Sequence, residues 1–122
     1  MTPLTVLLVD DDPDMRLYLR SCLKVPGLDI ARVLEAGDGI EALQLTRSCG
    51  VNLVISDIVV PGLDGRALCR AIRDSPELDD VSVLLISGED GAENMSGADG
   101  FLAKPFNTRQ LLAALEGLLP AR

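Results

Sequence analysis

The chain has no histidine and no tryptophan, and only one tyrosine and two phenylalanines among its 122 residues. Its core must therefore be aliphatic, and leucine, valine, isoleucine and alanine are abundant enough to build one, with hydrophobic residues at 48% of the chain. Without histidine, the commonest ligand for zinc or copper is missing. Cysteine is scarce and odd in number: Cys22, Cys49 and Cys69 lie far apart with no CxxC spacing, which argues against a disulfide framework and for buried, reduced thiols. Basic residues are few, 11 against 19 acidic, for a net charge of −8. A surface of that sign repels phosphate backbones, so direct nucleic-acid binding by this chain is not expected. Long apolar runs are also missing. The run Leu4 to Val9 is cut at once by Asp10, Asp11 and Asp12, so it is too short and wrongly flanked for a signal peptide or a membrane span. A soluble, cytoplasmic location with no membrane partner is expected.

What is present is an alternation. Short apolar runs at Leu4 to Val9, Ala31 to Leu34, Val51 to Ile55, Val81 to Ile86 and Phe101 to Ala103 read as strands buried on both faces. Between them lie segments of helical period. Asp12 and Pro13 suit an N-cap and first helical position before Met15, Tyr18, Leu19, Cys22 and Leu23. Asp38 with Glu41 makes an acidic variant of the capping box before Ile40, Leu43 and Leu45, and Asp64 can cap a helix burying Ala67, Leu68, Ala71 and Ile72. Asn107 and Gln110 form another capping pair before a leucine-rich face. Strands alternating with helices imply a doubly wound, five-stranded parallel sheet covered on both faces, in one domain spanning 1–122.

In such sheets ligands bind beyond the carboxyl ends of the strands. The residues there are Asp10 and Asp11 after the first run, Asp57 after the third, Ser87 after the fourth and Lys104 after the fifth. Three carboxylates on one rim repel each other, by about 4 kcal/mol per pair at ~4 Å and an effective dielectric of about 20. A hard divalent cation offsets this, and oxygen donors with no histidine or cysteine nearby point to Mg2+. A carboxylate nucleophile, a metal and fixed donors are the parts phosphoryl transfer needs. Asp57 suits the nucleophile, with Lys104 and Ser87 as partners for phosphoryl oxygens.

Four segments, VDDDP at Val9 to Pro13, SDIVVPGLDG at Ser56 to Gly65, LLISG at Leu84 to Gly88 and FLAKPF at Phe101 to Phe106, resemble in order the signature segments of response-regulator receiver domains. The resemblance implies a flavodoxin-like sheet of order 2-1-3-4-5. It implies that Asp57 is the phosphoacceptor, and that Asp10, Asp11, Asp57 and the backbone carbonyl of Val59 form the Mg2+ site. It also implies that Ser87 and Phe101 are switch residues, and that Lys104 precedes a cis proline, Pro105. The function implied is a signalling switch of two-component phosphorelays, not an enzyme beyond its own phosphorylation and dephosphorylation. A sensor histidine kinase or histidine phosphotransfer protein would supply the phosphoryl group, and a downstream effector would read it. A homodimer is left open, as is whether the chain is a whole regulator or part of a larger protein. Between Gly88 and Gly100, where receivers place a further helix, glycine recurs at 88, 91, 97 and 100 and the apolar stripe is only Ala92, Met95 and Ala98. A shortened or weak helix between Ala92 and Ser96, or none, is expected. The rival reading is a haloacid-dehalogenase-like phosphatase, in which Asp10 of the Asp10-x-Asp12 pair is the nucleophile.

Overall fold

The computed structural model of the protein describes residues 3–88 and 97–118. The apolar runs form strands β1 (Leu4–Val9), β2 (Ile30–Ala36), β3 (Leu53–Asp57), β4 (Ser82–Ser87) and β5 (Gly100–Ala103). The intervening segments form helices α1 (Pro13–Cys22), α2 (Gly39–Ser48), α3 (Gly65–Arg73) and α4 (Thr108–Glu116), with a 3-10 turn at Pro76–Leu78. Every strand pairing is parallel, in the order β2-β1-β3-β4-β5. Because the order reverses beside β1, the carboxyl ends of β1 and β3 flank the crevice where this topology binds ligands.

The sheet divides the core in two. Leu7 and Val9 of β1, with Val54, Val83 and Leu85, face α2 and α3, where Ala42, Leu68, Cys69 and Ile72 cover them. The alternate residues Val6, Leu8, Leu53, Ile55, Leu84 and Ile86 face α1 and α4, under Leu19, Cys22, Leu111 and Leu115. Both faces are buried, which is why β1, β3 and β4 are nearly continuous in aliphatic residues and do not alternate with polar ones. Each such leucine or isoleucine contributes about 1.5–3 kcal/mol by leaving water.

The helices begin where the capping residues place them. Asp12, Asp38 and Asp64 each accept a backbone N–H of their helix's first turn, at 2.9, 2.8 and 2.8 Å. Asn107 and Gln110 complete a reciprocal capping box, each bond 2.8 Å. The pair at α2 is not reciprocal, since the Glu41 carboxylate reaches the Gly37 N–H at 3.4 Å instead of that of Asp38. Two further differences from the sequence reading concern burial. Ile40 is 56% exposed, because the inner side of α2 is set by Ala42 and Thr46, and Cys49 is only partly buried, unlike Cys22 and Cys69. The expected weak helix between Ala92 and Ser96 lies outside the described residues. Among the described residues, no helix is long and apolar enough to cross a membrane.

Two glycines set how closely the helices approach the sheet edge. A Cβ on Gly39 would lie 1.6 Å from the Leu63 carbonyl oxygen, and one on Gly65 would lie 2.5 Å from the Asp57 carbonyl oxygen. The first turns of α2 and α3 thus press directly on the loop that follows β3.

Candidate functional site

Asp57 ends β3 and is fixed from several sides. Its Oδ2 accepts the Lys104 ammonium at 2.7 Å, and its Oδ1 accepts the Val59 N–H at 3.2 Å. Its carbonyl accepts the Ser56 hydroxyl at 2.8 Å, while the Gly65 N–H closes the loop onto the Ile58 carbonyl at 2.8 Å. The Asp57 side chain is only 12% exposed, yet one edge stays open beside Val59, which is 74% exposed. Lys104 is delivered from the neighbouring strand end. Its backbone N–H bonds to the Ser87 carbonyl at 2.8 Å, and the Lys104–Pro105 peptide is cis. Ser87 closes β4 and is buried, whereas Phe101 on β5 is half-buried against the core on the α2 and α3 side.

Asp10 is buried at the end of β1 and its Oδ1 accepts the Asp12 N–H at 2.9 Å, while Asp11 and Asp12 are exposed. Burial pushes the Asp10 carboxyl above the ordinary aspartate range; the Asp12 N–H opposes this, the charge of Asp57 adds to it, Lys104 opposes it and Asp11 adds to it. For the Lys104 ammonium, burial favours loss of the proton. The hydrogen bond to Asp57 and the attraction of Asp57, Asp10 and Asp11 together outweigh it and raise the pKa. Asp57 and Asp11 therefore both act on Asp10 across the rim, and Lys104 acts against them.

That imbalance is the test of whether a divalent cation fits. The donors are hard oxygens throughout, with an excess of negative charge, which is the chemistry Mg2+ takes. Among the described residues, no three His, Cys, Asp or Glu side chains already stand together as a metal-holding group. In this arrangement Asp57 is engaged by Lys104 and Val59, and one Asp10 oxygen by Asp12.

Arg16, Arg20 and Glu35 are site neighbours that the sequence reading missed. Glu35 of β2 accepts Arg16 Nε through Oε1 at 2.8 Å and Arg20 through Oε2 at 2.6 Å, while a second Arg16 nitrogen donates to the Asp10 carbonyl at 2.6 Å. The only signal was two arginines four residues apart on α1, one helical face in search of an acid. The acid is supplied by the β1–β2 register, which places Glu35 beside Leu8. The Arg16 hydrogen bond, then that of Arg20, hold the Glu35 carboxyl below its ordinary value near 4.5 against the opposing effect of burial. A depressed folded-state pKa gives stability that is present above the unfolded value and lost as pH falls through the folded one. Glu35→Gln should therefore lose less stability than the parent on acidification below about pH 4.5, read from urea midpoints at a series of pH values. Equal acid slopes would contradict it.

Comparison with known proteins agrees with this geometry. The family model for the response regulator receiver domain matches residues 6–116. Response regulator MprA of Mycobacterium sp. (strain KMS) is 35% identical over 96% of this chain, and the chain spans about half, 51%, of that relative's length. Chemotaxis response regulator CheY4 of Vibrio cholerae superposes with a TM-score of 0.84 at 31% identity, covering 97% of this chain and 100% of that one. The receiver domain of sensor histidine kinase PA1611 from Pseudomonas aeruginosa PAO1, described with a magnesium ion coordinated in its active-site cleft, gives a TM-score of 0.80 at 28% identity, covering 94% and 96%. The phosphatase alternative finds no support here, and Asp10 is unsuited to its nucleophile role, being buried with one oxygen held by the Asp12 N–H.

Proposed function

The chain belongs to the response-regulator receiver family, a class of phosphoacceptor signalling domains, and from that premise we propose that Asp57 is the residue that accepts the phosphoryl group. The observation that carries this reading is the Lys104 ammonium 2.7 Å from Asp57 Oδ2, at the carboxyl end of the central strand of the sheet. An oxygen of Asp57 attacks the phosphorus of a phosphohistidine on a sensor kinase or phosphotransfer protein. The P–N bond breaks, an acyl phosphate forms, and the imidazole leaves to take a proton from water. Lys104 transfers from the carboxylate to a phosphoryl oxygen, and the Ser87 hydroxyl donates to another.

The residues fit Mg2+, which would be held by Asp10, Asp11, Asp57 and the carbonyl of Val59, and would supply neutralisation of the charge gathered there. Ser87 and Phe101 are the switch residues, joining the phosphoryl site to the surface that a downstream effector reads. The chain catalyses only its own phosphorylation and dephosphorylation, as one domain acting in the cytoplasm.

Incubation with Mg2+ and a small phosphodonor, followed by mapping of the base-labile phosphoryl group, tests the reading. Label on Asp57 supports it, and label on Asp10 overturns it. A second pair of variants separates metal binding from helix capping. Asp11→Ala should lose most Mg2+ affinity, whereas Asp12→Ala should keep it and cost about 1 kcal/mol of stability for the lost cap. Equal loss of Mg2+ affinity in the two would show that the acidic residues have been assigned one position out of place.

A further inference from the structure

Asp10 is the point at which the chain leaves β1, and its peptide groups are held on both sides. Its N–H donates to the Ala36 carbonyl at 3.1 Å, its side chain accepts the Asp12 N–H at 2.9 Å, and its carbonyl accepts Arg16 at 2.6 Å. That carbonyl belongs to the planar unit that also carries the Asp11 N–H, so its direction fixes how the chain enters Asp11. The Arg16 guanidinium is in turn braced by Glu35 through Nε at 2.8 Å. We propose that Arg16 is a positioning residue of the acidic site: braced by Glu35, it holds the Asp10–Asp11 peptide in the orientation from which Asp11 meets a divalent cation. The inference rests on the proposed Mg2+ site and adds to it a residue that touches neither metal nor phosphoryl group.

The role is one of geometry, not of charge. Glu35 is shared by Arg16 and Arg20, so removing either arginine takes the same single positive charge from this cluster, and a difference between the two variants reports geometry. The planar guanidinium serves the carboxylate through one nitrogen and the carbonyl through another, in a fixed fork; a lysine at this position would have to reach both acceptors from a single nitrogen on a flexible stem. Arg20 provides an internal control. It bonds the other oxygen of Glu35, at 2.6 Å through its terminal nitrogen and 3.0 Å through Nε, and its backbone acceptor is Val33, not Asp10. Losing Arg20 therefore weakens the same ion-pair network without releasing the Asp10 carbonyl.

The test uses the full chain titrated with MgCl2 alone, followed by isothermal titration calorimetry and by the backbone amide resonances of Asp11 and Asp12. Arg16→Met should weaken Mg2+ binding about tenfold, the lower end of the effect expected for a residue that orients a metal ligand. Arg16→Lys should fall between, and Arg20→Met should bind as the parent does. In metal-free protein, the Asp11 and Asp12 amides should shift in Arg16→Met but not in Arg20→Met. Arg16→Lys keeps the experiment decisive if Arg16→Met does not fold. Unchanged affinity and unchanged amide resonances in a folded Arg16 variant would overturn the proposal, as would equal loss of affinity in the Arg16 and Arg20 variants. If the parent itself takes up no Mg2+, the proposed metal site fails, and the metal-free resonances still decide the role of Arg16.

Discussion

Asp57→Asn should reduce phosphoryl labelling by a small phosphodonor to background while leaving the protein folded. The amide keeps the shape of the carboxylate, and its oxygen can still accept the Val59 N–H that Asp57 Oδ1 accepts at 3.2 Å. What it lacks is an anionic oxygen able to form a stable acyl phosphate. Asp10 is the nearest alternative in charge, but it is buried and held by the Asp12 N–H. Two effects on stability oppose each other. Lys104 loses the partner 2.7 Å away, while Asp10 is relieved of a like charge that raises its pKa. The net change should stay within about 1 kcal/mol, since single ion pairs that water can reach contribute little. Mass spectrometry of the intact chain after incubation with phosphodonor and Mg2+ gives the answer, with circular dichroism to establish the fold. A folded Asp57→Asn protein that still gains a phosphoryl mass would remove Asp57 from its assigned role.

Gly39→Ala should be the most damaging single-methyl change. The new Cβ would sit 1.6 Å from the Leu63 carbonyl oxygen and 2.5 Å from its carbon. Both are backbone atoms, which cannot rotate away as a side chain could. Relief requires moving either the start of α2 or the loop between β3 and α3, and that loop is tied to α2 through the Gly39 N–H on the Pro61 carbonyl at 3.0 Å. Over-packing of this kind costs about 3 kcal/mol, at the upper end of its usual range. Gly117→Ala is the natural comparison. Its φ is −72°, and its Cβ would meet only the Ala114 oxygen at 3.6 Å, an ordinary contact, so it should change stability by about 0.5 kcal/mol or less. Urea unfolding of the two variants, with unchanged m, separates them. A Gly39→Ala protein as stable as Gly117→Ala would mean that α2 is not seated against Leu63.

Because the clash falls on the loop carrying Val59, the same substitution should also slow labelling of Asp57 in whatever fraction remains folded. A drop in stability with no change in labelling rate would place the disturbance entirely in α2 and leave the phosphoryl site intact.

The layers, the helix starts and the rim were legible in the order of the amino acids. Aliphatic runs without polar alternation can be stable only as strands covered on both faces, so β1, β3 and β4 were legible from hydrophobicity alone. Asp12, Asp38, Asp64 and Asn107 marked helix starts because capping is a local interaction between a side chain and the next turn. Strand ends bearing Asp10, Asp57, Ser87 and Lys104 fell on one edge because parallel strands joined by helices all point the same way. Whatever depends on distances between segments far apart in the chain was set by the folding of the sheet and its helices. Folding paired Lys104 with Asp57 across 47 residues, turned Ile40 outward, and brought Glu35 alongside Arg16 and Arg20 by the register of β1 on β2. The bond from Arg16 to the Asp10 carbonyl was invisible for a related reason: any carbonyl can accept, so residue identity does not mark the one that does.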